Sequence, residues 1–370
     1  MNIALVINKI SQVYIFRKDL IEALNKEHKV YIFSVNDNDE YKKKLEEMGC
    51  EIRELLLSNH SKNPLSDIKG MFDLIKKYKR YDINYSLNFT IKPNIYGTLA
   101  CKIAKIKAIN NITGLGYAFL DTGITNRIIK ILYKISFKYP QKVFFQNYDD
   151  MNLFLENKLV KKEICDRLPG SGINLMEYKF LEKNKINDKI VFLFIGRISY
   201  EKGAEIYIEA AKLIKKEYKN IEFQMIGGIQ KENKSSLSLK MLEKYEKQGV
   251  IKYLGVTNTI KENIRNSDCI ILPTYYREGV PRSLIESAAM AKPIITTKNV
   301  GCKDIVSDGY NGFLAEVKSV ESLVEKIEKF LKLNSEERKK MGKNGRSKVE
   351  KEFDVNIILG KYLKELGDVL

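Results

Sequence analysis

The chain has 370 residues, more than one typical hydrophobic core organises, and this length predicts two domains. Apolar residues make up 44% of it, which excludes the compositions of disordered and collagen-like proteins. The formal charge of +17 at pH 7 indicates an anionic partner such as a membrane surface, nucleic acid or a phosphorylated substrate, although a general richness in Lys, Asn and Ile also contributes to it.

The sequence carries few targeting or redox features. No apolar run approaches the length that spans a bilayer, and the chain starts with strand-like residues instead of a basic leader, so we expect a cytoplasmic protein. The cysteines are widely spaced and form no Cys-x-x-Cys pair, which predicts reduced thiols. They are Cys50, Cys101, Cys165, Cys269 and Cys302. The only histidines, His28 and His60, argue against a histidine metal site or a Ser-His-Asp triad.

In the first half of the chain, short apolar runs alternate with amphipathic segments, the pattern of a parallel sheet with crossover helices. The predicted strands are Ile3–Ile7, Val30–Val35, Ile52–Leu56, Ile83–Leu87, Ala108–Ile112 and Val143–Phe145. The predicted helices are Phe16–Lys26, Asp67–Tyr78, Pro93–Ile106 and Arg127–Phe137. The pattern breaks at the turn-rich Pro169–Gly172 and the polar Glu182–Lys189, so the first domain is predicted to cover residues 1–180.

The second half repeats this alternation. Its predicted strands are Ile190–Ile195, Ile221–Ile226, Ile251–Leu254, Cys269–Leu272 and Ile294–Thr297. From Ser319 onward the sequence becomes helical and rich in Lys and Glu. Because a break precedes the last segment, the second domain is predicted over 181–353, and a helix over 354–370 is predicted to cross back onto the first domain. The sequence thus predicts an α/β fold of two doubly wound, Rossmann-like domains facing each other across a cleft.

Two cations follow the first strand of the second domain. Ligands of doubly wound sheets bind beyond the carboxyl ends of the strands, which is where Gly196-Arg197 and Lys202-Gly203 lie. A planar guanidinium and a compact ammonium suit a diphosphate, while the competing interpretation is a pair of surface cations in a Lys-rich chain. Gly227, after the next strand, either lets a ligand approach the backbone or forms only a tight turn.

The stretch Tyr275–Lys292 combines a loop and a predicted helix start. A helix that begins at about Pro281 presents backbone N–H groups and the positive end of its dipole, which favour an anionic ligand. Two carboxylates bracket this point, Glu278 in the loop and Glu286 in the second turn of the helix. Two solvated carboxylates are the competing interpretation.

The order of these motifs resembles the retaining glycosyltransferases of family 4, which have the GT-B fold. Besides the cations and carboxylates above, the resemblance rests on Ala291–Ile295, Gly301–Val306 and Asp308–Leu314. In the first domain, Lys92–Gly97 and Asn110–Tyr117 are similar to the subgroup that extends polyprenyl-diphosphate-linked oligosaccharides. That subgroup contains capsular and O-antigen enzymes and the N-acetylgalactosaminyltransferases that act on diacetylbacillosamine-diphospho-undecaprenol.

The resemblance implies roles for the residues of the second domain. Arg197 and Lys202 would neutralise the donor diphosphate, and Glu278 would bind hydroxyls of the donor sugar. Glu286 would accept the ribose hydroxyls of the nucleotide. Backbone N–H groups of Gly279 and Val280, beside Pro281, would approach the sugar and phosphate, with Gly196, Gly203 and Gly227 also near the donor.

The first domain departs from the family at one position. Many members carry a histidine near the donor sugar, whereas the corresponding stretch here offers Thr113, Gly114 and Gly116. These residues are expected to replace that contact. Phe16 and Arg17, expected at the start of the first helix, are further candidates for the acceptor side of the cleft.

One segment of the first domain suits a membrane surface. Within 127–142 the cations Arg127, Lys130, Lys134 and Lys138 recur at helical spacing, and most of the remaining residues are apolar or aromatic. A helix of this kind can lie in the headgroup plane of an anionic bilayer. A core helix with one solvated basic face is the alternative.

The resemblance implies that the chain would be a metal-independent, retaining enzyme without a cofactor. It would move an N-acetylhexosamine such as GalNAc from a UDP-sugar to a polyprenyl-diphosphate-linked saccharide, as a peripheral protein on the cytoplasmic face of the inner membrane. No nucleic-acid partner is expected, because zinc spacings, RNP motifs and helix-turn-helix patterns are absent from the sequence. A nucleotide-sugar 2-epimerase and a basic nucleic-acid-binding protein are the alternatives, and Asp37-Asn38-Asp39 is either a metal-binding D-x-D or, as we expect, a turn.

Overall fold

A computed structural model describes most of the chain, in two compact units. The described residues are 1–57, 63–119, 123–182, 189–230 and 235–368. Unit 1 comprises Met1–Ser171 together with Val355–Leu370, and unit 2 comprises Gly172–Asp354. Among the described residues, no helix has both the length and the apolar character needed to cross a bilayer.

Both units are built on parallel strands whose positions follow the apolar runs of the sequence. The strands of unit 1 are β1 (Asn2–Lys9), β2 (Lys29–Val35), β3 (Glu51–Glu54), β4 (Tyr85–Phe89), β5 (Lys107–Ile112), β6 (Lys142–Phe145) and β7 (Cys165–Arg167). The strands of unit 2 are β8 (Ile190–Ile195), β9 (Ile221–Ile226), β10 (Lys252–Tyr253), β11 (Cys269–Leu272), β12 (Ile294–Thr297) and β13 (Gly312–Ala315).

Helices connect the strands and cover the sheets. They are α1 (Ile10–Leu24), α2 (Asp39–Glu47), α3 (Pro64–Arg80), α4 (Thr98–Ala104), α5 (Ile124–Ser136), α6 (Tyr148–Glu156), α7 (Ala204–Glu217), α8 (Leu239–Lys247), α9 (Ile260–Asn266), α10 (Arg282–Ala289), α11 (Cys302–Ile305), α12 (Val320–Lys332), α13 (Ser335–Glu352) and α14 (Val355–Leu366). A π-helical turn, Pro93–Gly97, precedes α4, and short 3₁₀ turns lie at Gly116–Phe119 and Lys162–Ile164.

In each sheet there is one point at which the order of the strands reverses, so that strands on its two sides are added in opposite directions. The order is β3-β2-β1-β4-β5-β6-β7 in unit 1 and β10-β9-β8-β11-β12-β13 in unit 2, as far as the described residues show. The reversal therefore lies between β1 and β4 in unit 1 and between β8 and β11 in unit 2. Ligands of doubly wound sheets bind at such a switch point, beyond the carboxyl ends of the two strands. The predicted α/β fold with two doubly wound domains is confirmed.

The core of unit 1 lies on both faces of its sheet because successive residues of a strand point to opposite sides. On β1, Ile3 and Leu5 pack with residues of α1, α2 and α14, whereas Ala4 and Val6 pack with residues of α3 and α4. Helix α14 is held on the first face by a hydrogen bond of 2.7 Å from Asn111 Nδ2 to the Tyr362 hydroxyl.

The division between the units differs from the predicted limit at residue 180. Ile173 forms a bridge with Asp354 and donates its N–H to the Phe353 carbonyl at 2.9 Å, so the chain joins unit 2 directly after Ser171. These contacts pair residues far apart in sequence, and local pattern does not reveal them. His60 and most of the polar stretch Glu182–Lys189 lie outside the described residues.

Several elements also differ from expectation in detail. Helix α1 begins six residues before the predicted start at Phe16, since Ile10 follows β1 without a turn. The π-helical turn interrupts the single helix predicted for Pro93–Ile106. Strands β7 and β13 lie outside the predicted set, and each is a short strand at an edge of its sheet.

Candidate active site

The predicted donor-binding residues of unit 2 gather at one edge of its sheet. Gly196 and Arg197 follow β8, Gly227 follows β9, and Glu278 lies in the loop after β11. Since β8, β9 and β11 are parallel neighbours, their carboxyl ends meet at this edge. The loops after β8 and β11 flank the switch point, which is where the fold favours a ligand.

Those two loops are tied together by backbone hydrogen bonds. The Glu201 carbonyl accepts from the backbone N–H of Tyr275 at 2.9 Å, from that of Tyr276 at 3.0 Å and from the Thr274 hydroxyl at 3.0 Å. Gly203 has φ of +77°, and a Cβ there would lie 2.1 Å from the Pro273 carbonyl oxygen. A glycine is therefore required for the loop after β8 to approach the end of β11 this closely.

An ion pair connects the two loops. The Lys202 ammonium donates a short hydrogen bond to Glu278 Oε1, and their side chains are only 14% and 12% exposed. The Thr274 hydroxyl lies 3.5 Å from the same oxygen. Partial burial strengthens the attraction between the two charges but also costs both of them hydration.

Tyr276 brings the second cation to the same place. The Lys202 Nζ lies 5.4 Å and the Arg197 guanidinium carbon 5.5 Å from the centroid of its ring, within the range of cation–π attraction. Arg197 also donates to Gln230 Oε1 at 3.4 Å. The aromatic ring thus attracts both positive charges to the loop after β11.

Glu286 is oriented by two donors on one of its oxygens. The Tyr178 hydroxyl donates to Oε1 at 2.8 Å and the Arg282 Nε at 2.9 Å. Within the part of the chain that the structure describes, no hydrogen bond reaches the second oxygen, Oε2. The carboxylate is 12% exposed, so this arrangement fixes its plane and leaves one oxygen for a ligand.

Both donors of Glu286 keep their protons because of their surroundings. Burial raises the pKa of Tyr178 well above the ordinary value, and the charge of Glu286 adds to this. Burial by itself lowers the pKa of Arg282, but the charge of Glu286 outweighs it, and the net pKa is raised. The phenol and the guanidinium therefore remain donors over the whole physiological pH range.

The loop before α10 also contacts the residues that follow β12. The Asn299 amide donates to the Tyr276 carbonyl at 2.6 Å. A Cβ at Gly301, which has φ of +80°, would lie 2.1 Å from the Gly279 carbonyl oxygen. Helix α10 then begins at Arg282 with Pro281 as its N-cap, so Gly279 and Val280 immediately precede the first turn.

Three residues at this site were not among the sequence-based candidates. Tyr276 and Arg282 lie within the stretch Tyr275–Lys292, and the spacing of Arg282 four residues before Glu286 is a readable signal for a helical ion pair. Tyr178 lies 108 residues from Glu286 and within the predicted limits of the first domain, so no local pattern connects the two.

In unit 1, the candidates fall into two places. Thr113, Gly114 and Gly116 follow the carboxyl end of β5, as expected for a ligand-facing loop. The expectation that Phe16 and Arg17 start the first helix is wrong: they lie in its second turn. Arg17 is buried with its guanidinium 4.3 Å from the Phe89 ring centroid, whereas Phe16 is partly exposed.

Helix α5 carries two kinds of exposed side chain. Its buried face includes Asn126 and Tyr133, and its opposite face exposes isoleucines that are each 45–76% accessible: Ile124, Ile128, Ile131 and Ile135. Arg127, Lys130 and Lys134 flank this isoleucine stripe by their helical positions. The prediction that Lys138 continues the basic stripe is wrong, because the helix ends at Ser136 and Pro140 disfavours its continuation.

The Asp37-Asn38-Asp39 sequence serves the start of α2. Asp37 accepts from the Ser11 N–H at 2.9 Å and from the Ser11 hydroxyl at 2.6 Å, and the Asn38 side chain accepts from the Tyr41 N–H as the N-cap. Among the described residues, no three carboxylate, thiol or imidazole groups lie close enough to share a metal ion.

Comparison with known families places this site in context. Residues 2–147 match the family model described as glycosyl transferase 4-like, and residues 177–348 match the model of group 1 glycosyl transferases. Over 370 aligned residues the chain is 31% identical to N,N'-diacetylbacillosaminyl-diphospho-undecaprenol alpha-1,3-N-acetylgalactosaminyltransferase of Campylobacter jejuni, covering 96% of this chain and 95% of that protein.

A second relative and a solved structure agree with this. The chain is 23% identical to UDP-Gal:alpha-D-GlcNAc-diphosphoundecaprenol alpha-1,3-galactosyltransferase of Escherichia coli, covering 79% of this chain and 77% of that protein. The fold matches Anabaena HepE, solved in complex with UDP and glucose, with a TM-score of 0.79 at 16% identity and 99% coverage of both chains. The chain belongs to the family 4 glycosyltransferases, which have the GT-B fold.

Proposed function

We propose that this glycosyltransferase moves an N-acetylhexosamine, such as N-acetylgalactosamine, from a UDP-sugar to a polyprenyl-diphosphate-linked saccharide. Such a step belongs to the synthesis of a bacterial surface glycan or a protein-linked glycan. The names of the Campylobacter and Escherichia relatives both specify a diphosphoundecaprenol-linked acceptor, and both are transferases, which favours transfer over epimerisation. The observation that carries the proposal is the Lys202–Glu278 ion pair beside Arg197 at the switch point of unit 2.

The ion pair suggests how the donor is received. A diphosphate carries more negative charge than one carboxylate, so it competes with Glu278 for the Lys202 ammonium. Arg197, whose guanidinium carbon lies 5.5 Å from the centroid of the Tyr276 ring that Lys202 also approaches, would bring a second cation to the phosphates. Both charges then stabilise the diphosphate as it leaves, which is the charge that grows in the transition state.

Release from Lys202 gives Glu278 its second role. Its freed oxygen can accept hydroxyl groups of the donor sugar, with Gly279 and Val280 supplying backbone N–H groups at the start of α10. Glu286 Oε2 is left to accept the ribose hydroxyls, since Tyr178 and Arg282 occupy Oε1. In this assignment neither carboxylate transfers a proton.

The same assignment, with the cations on the diphosphate and the carboxylates on hydroxyl groups, bears on the need for a metal and on the stereochemistry. Because two fixed cations and a helix start can neutralise the diphosphate, the proposed reaction proceeds without a divalent metal. With Glu278 held among sugar hydroxyls, we assign the acceptor's proton to the leaving diphosphate on the same face of the sugar. Attack from that face retains the anomeric configuration.

Helix α5 is the part of unit 1 proposed to contact the membrane. Its exposed isoleucine stripe can enter the acyl boundary while Arg127, Lys130 and Lys134 remain at the anionic headgroups. A lipid-linked acceptor requires such contact, and we propose a peripheral position on the cytoplasmic face of the inner membrane. Each basic residue near an anionic surface contributes about 1 kcal/mol.

Product analysis tests the reaction. Purified protein is incubated with UDP-GalNAc, UDP-GlcNAc, UDP-Gal or UDP-Glc and with diacetylbacillosaminyl- or GlcNAc-diphosphoundecaprenol, with and without a chelator. We expect one donor to dominate, activity to persist with chelator, and NMR of the product to show an α-linkage. Loss of activity with chelator and its return on adding Mg²⁺ would contradict metal independence, and a β-linked product would contradict retention.

Vesicle sedimentation tests the membrane contact. The triple variant Lys130→Glu, Lys134→Glu, Lys138→Glu and the double variant Ile128→Asn, Ile131→Asn should both lose binding to phosphatidylglycerol vesicles while UDP binding is unchanged. Because Lys138 lies beyond α5, restoring it in the triple variant should recover little binding. The triple substitution Lys326→Glu, Lys329→Glu, Lys332→Glu on α12 of unit 2 is the matched control, and equal loss there would indicate nonspecific charge attraction.

A further inference from the structure

The switch point of unit 1 holds a polar pair that the proposed roles leave unused. Asn8 lies near the end of β1 and Thr90 directly follows β4, the two strands between which the chain reverses. We propose that Thr90 binds a hydroxyl of the acceptor saccharide and that Asn8 is the residue that positions Thr90. This inference rests on the proposed transfer reaction and names a binding site for its acceptor.

The hydrogen bonds of the pair fix its orientation. The Thr90 hydroxyl donates its proton to the Phe89 carbonyl through a short hydrogen bond, so its oxygen can only accept from Asn8. Asn8 accordingly donates through Nδ2, at 2.5 Å, and its amide cannot be reversed without placing two acceptors face to face. The proton arrangement thus follows from the geometry.

This orientation leaves acceptor capacity at the switch point. Asn8 is 3% exposed, and within the described part of the chain its Oδ1 is buried without a hydrogen-bond partner. Thr90 is half-buried, and its oxygen retains a second lone pair. Buried polar atoms are nearly always satisfied, so the site calls for a donor that the described residues do not supply.

The backbone conformation of Thr90 is strained, which is a second sign of a ligand site. Its φ is +71°, a left-handed conformation that a β-branched residue rarely adopts. Strain of this kind persists where the surrounding structure holds it, and it concentrates at ligand sites. The Asn94 N–H donates to the Thr90 carbonyl at 3.0 Å, and the π-helical turn that contains Asn94 is itself a rare element associated with function.

The chemistry of the site selects its ligand. Carbonyl and hydroxyl lone pairs accept hydrogen bonds, so they match the O–H and acetamido N–H groups of a sugar. A phosphate offers no donor at neutral pH and would be repelled by these oxygens. The pair therefore fits the neutral saccharide of the acceptor rather than its diphosphate.

Steady-state kinetics of full-length variants test the inference, with UDP-GalNAc and diacetylbacillosaminyl-diphosphoundecaprenol, or the best pair from the panel above. Thr90→Val keeps the branched shape and removes the hydroxyl, and Asn8→Ala removes its support. Each should raise the acceptor KM about tenfold, the effect of one lost hydrogen bond, and leave the donor KM and UDP affinity within about twofold. Thr90→Ser should recover most of the loss seen in Thr90→Val.

Asn88→Ala is the matched control. Asn88 is fully buried on the same strand, but its amide is satisfied within the protein by Ser86 and Asn110, each at 2.9 Å. This change should lower the melting temperature without a selective rise in the acceptor KM. An unchanged acceptor KM in Thr90→Val, or a parallel rise of both KM values, would overturn the inference alone. A wild-type protein that transfers no sugar to any acceptor would overturn the proposed function and this inference together.

Discussion

The two units have the same kind of sheet and the same kind of switch point, but different side chains at it. In unit 2 the loops flanking the reversal carry Arg197, Lys202 and Glu278, three charged groups within one edge. In unit 1 the equivalent place carries Asn8 and Thr90, a neutral amide and a hydroxyl, and the nearby cations Lys9 and Lys92 are each paired with a carboxylate, Asp37 at 3.9 Å and Asp67 at 2.6 Å. Topology therefore decides where a ligand can bind, and the side chains at that place decide which ligand it is.

The difference matches the demands of the two proposed substrates. A nucleotide donor brings a diphosphate, whose leaving charge must be neutralised, and partly buried cations do this well. An acceptor saccharide brings hydroxyl groups, which need directional hydrogen bonds and no net charge. Substitutions that remove charges from the donor site of unit 2, or a hydrogen bond that orients one of its carboxylates, test this difference. The largest expected effect comes first.

Lys202→Met removes the charge that most distinguishes the two edges. We expect kcat/KM to fall about 10²–10³-fold, because one donor to the developing negative charge is lost and Glu278 is left partly buried without its cation. The matched control is Lys212→Met on α7, where Lys212 pairs with Glu209 at 2.6 Å and lies 4.3 Å from the Tyr245 ring centroid. A similar fall in both variants would contradict a specific role for Lys202.

Glu278→Gln keeps the shape of the side chain and removes its charge. We expect kcat to fall about 10²-fold with the donor KM changed only a few-fold, because hydroxyl contacts that tighten in the transition state are weakened. Glu209→Gln is the corresponding surface control. A main effect on the donor KM would place Glu278 in ground-state binding instead.

Glu286→Gln tests the ribose contact. The amide has one accepting oxygen and one donating NH2 group, whereas the carboxylate has two accepting oxygens. The donor KM should therefore rise about tenfold while kcat changes little. The pH–rate profile serves as the second measurement. If its acidic limb disappeared in this variant or in Glu278→Gln, the carboxylate concerned would be a proton-transfer group and our assignment would be wrong.

Tyr178→Phe weakens only the support of Glu286. The donor KM should rise two- to threefold, and the free energy of unfolding should fall by about 1–2 kcal/mol at pH 7. Because burial and the charge of Glu286 raise the pKa of this phenol in the folded state, its contribution is complete below pH about 10 and is lost as pH rises through the raised value.

Urea unfolding of the wild type and of Tyr178→Phe between pH 7 and 11 measures the contribution of this hydroxyl to stability. The stability difference between wild type and Tyr178→Phe should be constant up to pH about 9 and shrink above pH about 10. Tyr310→Phe is the control, since Tyr310 is 57% exposed and its substitution should give no pH-dependent difference. A Tyr178→Phe difference that grows with pH would have the wrong sign for a raised pKa.

Most of the donor-site residues of unit 2 can be predicted from the sequence, because they lie in short continuous segments. The stretches around Arg197–Gly203 and Glu278–Glu286 each lie directly after a strand, and parallel strands bring their ends together. Tyr178 and Tyr276 show the limit of such reading. Tyr178 reaches Glu286 across 108 residues, and the placing of the Tyr276 ring near two cations depends on where the two loops fold.

In unit 1 the sequence gives fewer signals. Asn8 and Thr90 are 82 residues apart and belong to no charged or glycine-rich motif, so their pairing appears only when β1 and β4 lie side by side. The same holds for α5, whose basic spacing is evident in sequence. That its isoleucines face outward and Tyr133 inward depends on which side of the helix the rest of unit 1 covers.

The sequence by itself determined the α/β class, the alternation of strands and helices, and the identity of the charged residues near the donor. These follow from periodicity and from short motifs, which act over a few residues. Only the tertiary structure decided the limits of the units, the burial of Arg17, the end of α5 before Lys138 and the Asn8–Thr90 pair at the switch point. Each of these depends on contacts between segments distant in sequence, and such contacts leave no periodic trace in the chain.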